Sequence, residues 1–138
     1  MSGDGSGAGA EEHFADLPDP PYWAVTFVNR FRPGLTPGEL ADYNADADRM
    51  LDLAAKIPGY LGFTSVRDAQ GRAVSVSYWT GEDAIRAWRE DVEHTLTRAR
   101  GRRHWYGAYQ VQVSRVDRAY EWRCCAEAEA EADADAGG

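Results

Sequence analysis

Residues 60–80 read YLGFTSVRDAQGRAVSVSYWT. Two runs rich in β-branched and aromatic residues, Tyr60 to Arg67 and Arg72 to Trp79, flank Asp68-Ala69-Gln70-Gly71. A four-residue connection ending in glycine between such runs predicts an antiparallel hairpin. Pro58-Gly59 closes the element before it. Thr80, with Asp83 three residues on, has the form of a capping box that opens the element after it. The hairpin therefore stands between two helices.

Upstream, Thr36-Pro37-Gly38-Glu39 is a fuller capping box with proline at the first helical position. Leu40, Tyr43, Ala47, Met50, Leu51, Ala54 and Ile57 recur at helical spacing, while Asp42, Asp46, Asp48, Arg49 and Asp52 form a solvated outer face. Before it, Tyr22 to Phe31 (YWAVTFVNRF) predicts a first strand, with Trp23, Val25, Phe27, Asn29 and Phe31 on one face. Downstream, Ala84, Ile85, Trp88 and Val92 predict a second helix, with Arg98 and Arg100 near its end and Gly101 as its stop. Trp105 to Tyr120 predicts a last strand. The order βαββαβ is that of a ferredoxin-like α+β sandwich. Two helices cover one face of a four-stranded sheet. The other face calls for a second sheet, so the expected assembly is a homodimer packed through its sheets into an α/β barrel.

The flanks differ in kind. Residues 1–21 are rich in glycine and end in Pro18, Pro20 and Pro21; residues 124–138 continue as AEAEAEADADAGG after two cysteines. Neither carries enough branched or aromatic side chains to offset the entropy of ordering. Both are expected to be disordered tails around a domain at 22–123. Of the 23 acidic residues in a chain of net charge −8, ten lie in these tails, leaving 15 basic against 13 acidic residues in the domain. That balance gives no footprint for nucleic acid. No run approaches a membrane span, and the N-terminus lacks the form of a secretory signal, so a cytoplasmic protein is expected. The adjacent Cys124 and Cys125 suit neither a disulfide nor a metal, and His13, His94 and His104 show no ligand spacing. No dinucleotide or phosphate-binding motif follows a strand.

Pro58-Gly59-Tyr60-Leu61-Gly62-Phe63 and Val76-Ser77-Tyr78-Trp79 stand in the order found in the antibiotic biosynthesis monooxygenase family. So do Ala87-Trp88-Arg89, His94, Arg98, Gly101-Arg102 and Trp105-Tyr106, and the chain from Tyr22 to Trp122 resembles that family. The resemblance implies a dimeric barrel with a cavity between sheet and helices in each protomer. It also implies oxygenation of an aromatic or polyketide-like small molecule by dioxygen with no metal or flavin cofactor, in secondary metabolism. Related folds act as polyketide cyclases, and others only bind small molecules. The haem-degrading relatives use a strand-one asparagine, a tryptophan and a histidine ten residues later. Here Trp88 matches, but the other two positions are Phe27 and Arg98, which disfavours haem degradation.

For such chemistry the candidate catalytic residues are His94, Asn29 and Trp88. His94 titrates near neutrality and suits a general base. On a straight second helix it points about 180° from the stripe of Ile85, Trp88, Val92, Leu96 and Ala99. A break near Glu90 would turn it inward. Asn29 is polar on an apolar face and must find a partner or line a cavity. Trp88 serves either stacking or core packing. Tyr78, Trp79, Trp105 and Tyr106 are candidate substrate-binding walls, and Arg98 a candidate carboxylate partner.

Overall fold

The chain alternates side chains along its strands, and that alternation decides which face the helices cover. A computed structural model describes residues 14–124. It places β1 at Tyr22–Phe31, α1 at Pro37–Ala54, β2 at Tyr60–Arg67 and β3 at Arg72–Trp79. Then follow α2 at Glu82–Glu90, α3 at Val92–Arg100, a π-helical turn at Gly101–Trp105, and β4 at Tyr106–Val116. The sheet has four strands in the order β2-β3-β1-β4, with every pairing antiparallel. This is the expected ferredoxin-like α+β arrangement.

The register shows how the core forms. Trp23 pairs with Trp79, and Asn29 with Ala73. On the helix side Ala54, Trp79 and Ala84 are buried, with Trp23, Val25, Ile57, Tyr60, Ile85 and Trp88 packed around them. The other side of the sheet carries Ala24, Thr26, Val28, Val74, Val76 and Tyr78, with Val66 64% and Val74 43% exposed. Thr36 starts α1 as read: its hydroxyl accepts from the Glu39 N–H, and the Glu39 carboxylate accepts from the Thr36 N–H. Those bonds hold the Glu39 carboxyl below its ordinary range.

Four expectations need correction. Thr80 does not cap the second helix: its N–H donates to the Gly59 carbonyl at 2.8 Å, and Gly81 is the N-cap without a side-chain bond. The second helix is two helices. Asp91 leaves helical geometry at φ −58°, ψ 134°, and its carboxylate accepts the His94 N–H at 2.9 Å, which starts α3. Gly101 is no terminator: it stays right-handed at φ −58° and continues into the π-helical turn, which shortens the last strand to Tyr106–Val116. Residues 14–21, expected within a disordered tail, form a strap on the sheet, with Ala15 and Leu17 against Gly62. The remainder of both tails, with His13 and Cys125, lies outside the described residues. Cys124 is exposed. Among the described residues no helix is long and apolar enough to cross a membrane.

Candidate active site

The break at Asp91 decides where His94 goes. A helix ends with carbonyls short of partners: that of Trp88 accepts the Asp91 N–H at 3.2 Å, and side chains from α3 reach it and that of Arg89. His94 Nδ1 lies 2.9 Å from the Trp88 carbonyl oxygen, and Arg98 Nη2 donates to the Arg89 carbonyl at 3.0 Å. The imidazole is half-buried and stacks on the Trp88 indole, with centroids 4.0 Å apart and planes 14° apart. Trp88 lies in turn 6.3 Å from Trp79, which is fully buried and donates from Nε1 to the Ser77 hydroxyl. Since a carbonyl only accepts, Nδ1 carries the hydrogen and Nε2 keeps a free lone pair. Burial first, and the Arg98 charge after it, hold the imidazole below its ordinary value, against the opposing Trp88 bond and Asp91 charge. The lowered basicity favours the neutral imidazole, with Nε2 as the unprotonated nitrogen.

A second cluster forms at the other end of the same face, around Asn29, which lies six residues and so about 20 Å along β1 from Trp23. Arg67, Ala73, Asn29 and Tyr109 stand side by side across the four strands. Ala73 is small enough for the Arg67 side chain to pass over it. Arg67 Nη2 donates to Asn29 Oδ1 at 2.9 Å and to the Tyr43 hydroxyl at 3.0 Å, while Nη1 donates to the Gly71 carbonyl at 2.8 Å. Its guanidinium lies 3.8 Å from the Phe31 ring centroid. Asn29 is 5% exposed, and its Nδ2 is buried without an acceptor. Around them Phe27, Phe31, Tyr43, Trp105, Tyr106 and Tyr109 pack edge to face or tilted, with centroids 4.9–6.0 Å apart. Burial pushes the Tyr106 phenol well above its ordinary range, and Tyr43 adds to it.

The structure thus divides the residues singled out from sequence. His94, Trp88 and Trp79 form one cluster; Asn29, Trp105 and Tyr106 belong to the other. Between them Val25, Phe27, Phe63, Ser75 and Ser77 are only half-buried, so the helices leave a strip of sheet partly uncovered. Tyr78 does not share a wall with Trp79. Neighbours on a strand point to opposite faces, and Tyr78 packs edge-on to Tyr22 across the sheet at 5.9 Å. Arg98 is committed to the end of α2, with its Nε buried and unpartnered. Arg67 and Tyr43 were not singled out from sequence. A further concavity of about 550 Å³ lies near the hairpin end of the sheet, bordered by Val28, Arg30, Val66, Arg72, Val74 and Gln110. Among the described residues no three His, Cys, Asp or Glu side chains gather where they could hold a metal ion.

A four-stranded antiparallel sheet with helices on one face defines a ferredoxin-like α+β protein, and comparisons with known proteins narrow it. The sequence profile of the antibiotic biosynthesis monooxygenase family matches residues 24–100. YqjZ of Bacillus subtilis (strain 168), described as uncharacterized, is 46% identical over 107 residues, covering 78% of this chain and 90% of that protein. The chain belongs to the antibiotic biosynthesis monooxygenase family. Among solved structures, a dimeric ferredoxin-like protein of unknown function from Thermobifida fusca superposes with a TM-score of 0.59 at 15% identity, over 75% of this chain and all of that one. SnoaB from Streptomyces nogalater, a cofactor-independent oxygenase, superposes with a TM-score of 0.55 at 22% identity, over 70% of this chain and 95% of that one. Both show the shared fold.

Proposed function

We infer that the protein is a cofactor-independent monooxygenase acting on an aromatic or polyketide-like small molecule. The observation that carries this reading is the half-buried, neutral His94, whose Nδ1–H is tied to the Trp88 carbonyl so that Nε2 is left as a base. An acidic ring methylene gives its proton to Nε2, and the resulting stabilised carbanion reduces dioxygen directly. One oxygen atom becomes the ring carbonyl and the other leaves as water, so the two hydrogens of the methylene balance the reaction. Trp88 backs the imidazole and is itself held by the fully buried Trp79, and the half-buried Val25, Phe27 and Phe63 floor the strip beside it. The aromatic surroundings keep water from quenching the carbanion.

Two copies joined through the sheet side that bears Val66 and Val74 form the functional unit. The exposed apolar side chains there support this, as does the dimeric description of the Thermobifida fusca relative.

Oxygen uptake by chelator-treated protein with an anthrone-type substrate tests the reaction. Uptake should exceed a protein-free control and fall about 10²–10⁴-fold in His94→Ala. Turnover that continues unchanged without oxygen would make the protein a cyclase of the same fold. No uptake above the control refutes the oxygenase reading for this substrate class.

A further inference from the structure

Among the described residues Arg67 is a cation without an anion. It is partly buried, and the hydrogen bonds it makes go to neutral oxygens of Gly71, Asn29 and Tyr43. None of the ion pairs among the described residues includes it. Withdrawing a charge from water is costly unless an opposite charge comes with it. Beside it is a second unmet donor. Arginine can only donate, so the Asn29 oxygen must face the guanidinium, which turns the amide nitrogen away to where it is buried with no acceptor. The two donors are the two arms of one contact: Nη2 is 2.9 Å from Oδ1, and Nδ2 is bonded to the same carbon as Oδ1.

We propose that Arg67 and Asn29 form a carboxylate-binding site whose ligand is an aromatic acid. A guanidinium edge matches the two oxygens of a carboxylate, and the Asn29 amide adds a donor at its side. The Tyr43 hydroxyl holds the place of one carboxylate oxygen until the ligand arrives, accepting from Nη2 at 3.0 Å. The rings of Phe27, Phe31 and Tyr106 give the ligand's aromatic part faces and edges to pack on. The rest of the ligand would lie along the half-covered strip that runs from here toward Trp88. This deepens the oxygenase reading by giving its substrate an acid group, and binding is read without turnover, so the two fail separately.

Calorimetric titration with 2-naphthoate and with uncharged 2-naphthamide tests it. Wild type should bind the acid more tightly than the amide. Arg67→Met should weaken the acid by roughly ten- to a hundredfold and leave the amide unchanged. Equal binding of acid and amide, no binding of the acid at millimolar concentration, or equal losses of both ligands in Arg67→Met would overturn the proposal, the last by showing a merely structural role. Should Arg67→Met fail to fold, the Asn29 side-chain NH₂ resonances of the wild-type protein give the answer. They move on addition of 2-naphthoate if the site is real, and stand still if it is not.

Discussion

Gly59 sits where α1 turns into β2, at φ +101°, and a Cβ built there would lie 2.6 Å from the Ala84 Cβ and 2.7 Å from the Thr80 hydroxyl. Gly59→Ala therefore meets two penalties. Left-handed geometry costs an L-residue about 1–2 kcal/mol. Forcing a methyl against the buried Ala84 adds overpacking strain of about 1–3 kcal/mol. The sum is about 2–5 kcal/mol, enough to lower the urea midpoint by about 1–3 M. Gly34→Ala is the control: it too has positive φ, at +78°, but its Cβ would meet nothing within 4 Å. It should cost only the conformational part, about 1–2 kcal/mol. The assay is urea unfolding of both variants and wild type at one protein concentration, since association shifts apparent stability. If Gly59→Ala is no more destabilising than Gly34→Ala, α2 does not pack on this turn as described, and the placement of Trp88 against Trp79 falls with it.

Two further outcomes follow from the site and the sheet. Burial depresses the His94 imidazole below 6.5, so on acidification the unfolded chain takes up a proton before the folded one does. Stability is complete above that value and lost as pH falls from it toward the depressed one. Moving from about pH 7.5 to about pH 5.5 should lower the urea midpoint of wild type more than that of His94→Gln, and equal sensitivity would show a solvated imidazole. Val74→Arg places a charge among the exposed apolar side chains at the hairpin end of the sheet side; light scattering should find the wild type dimeric and this variant weakened in association by more than about tenfold. A variant that remains as dimeric as wild type would move the interface elsewhere.

Local chemistry made most of the architecture legible. The Thr36–Glu39 box, the glycine-closed hairpin and the alternation in β1 each depend on a few neighbouring residues, and each appears where the sequence places it. His94 lay at the limit of such reading. Its orientation turned on one backbone torsion at Asp91, and the signal was Asp91 itself, a good N-cap residue three positions before a helical N–H that it accepts. Arg67 was out of reach. Its partner Asn29 is 38 positions away, and the two meet only because Ala73, on the strand between them, is small. Tyr43 was hidden differently: on the helical stripe it reads as core, and nothing local shows that its hydroxyl accepts from Arg67. Tyr78 and Trp79 are neighbours in sequence and lie on opposite faces, a separation that strand alternation alone would have given.

The strap at residues 14–21 lies on one end of the bare sheet side, against Gly62, while the end near Val28, Val66 and Val74 stays open as a concavity. A second sheet laid on that side meets an added layer of chain at one end and none at the other. In the proposed pair of copies the two sheets would close like a hinged book, tight at the hairpin edge and propped apart by Ala15 and Leu17 where they lie on Gly62. Trimming those two side chains would then alter the angle of the book without altering a single residue of the sheet.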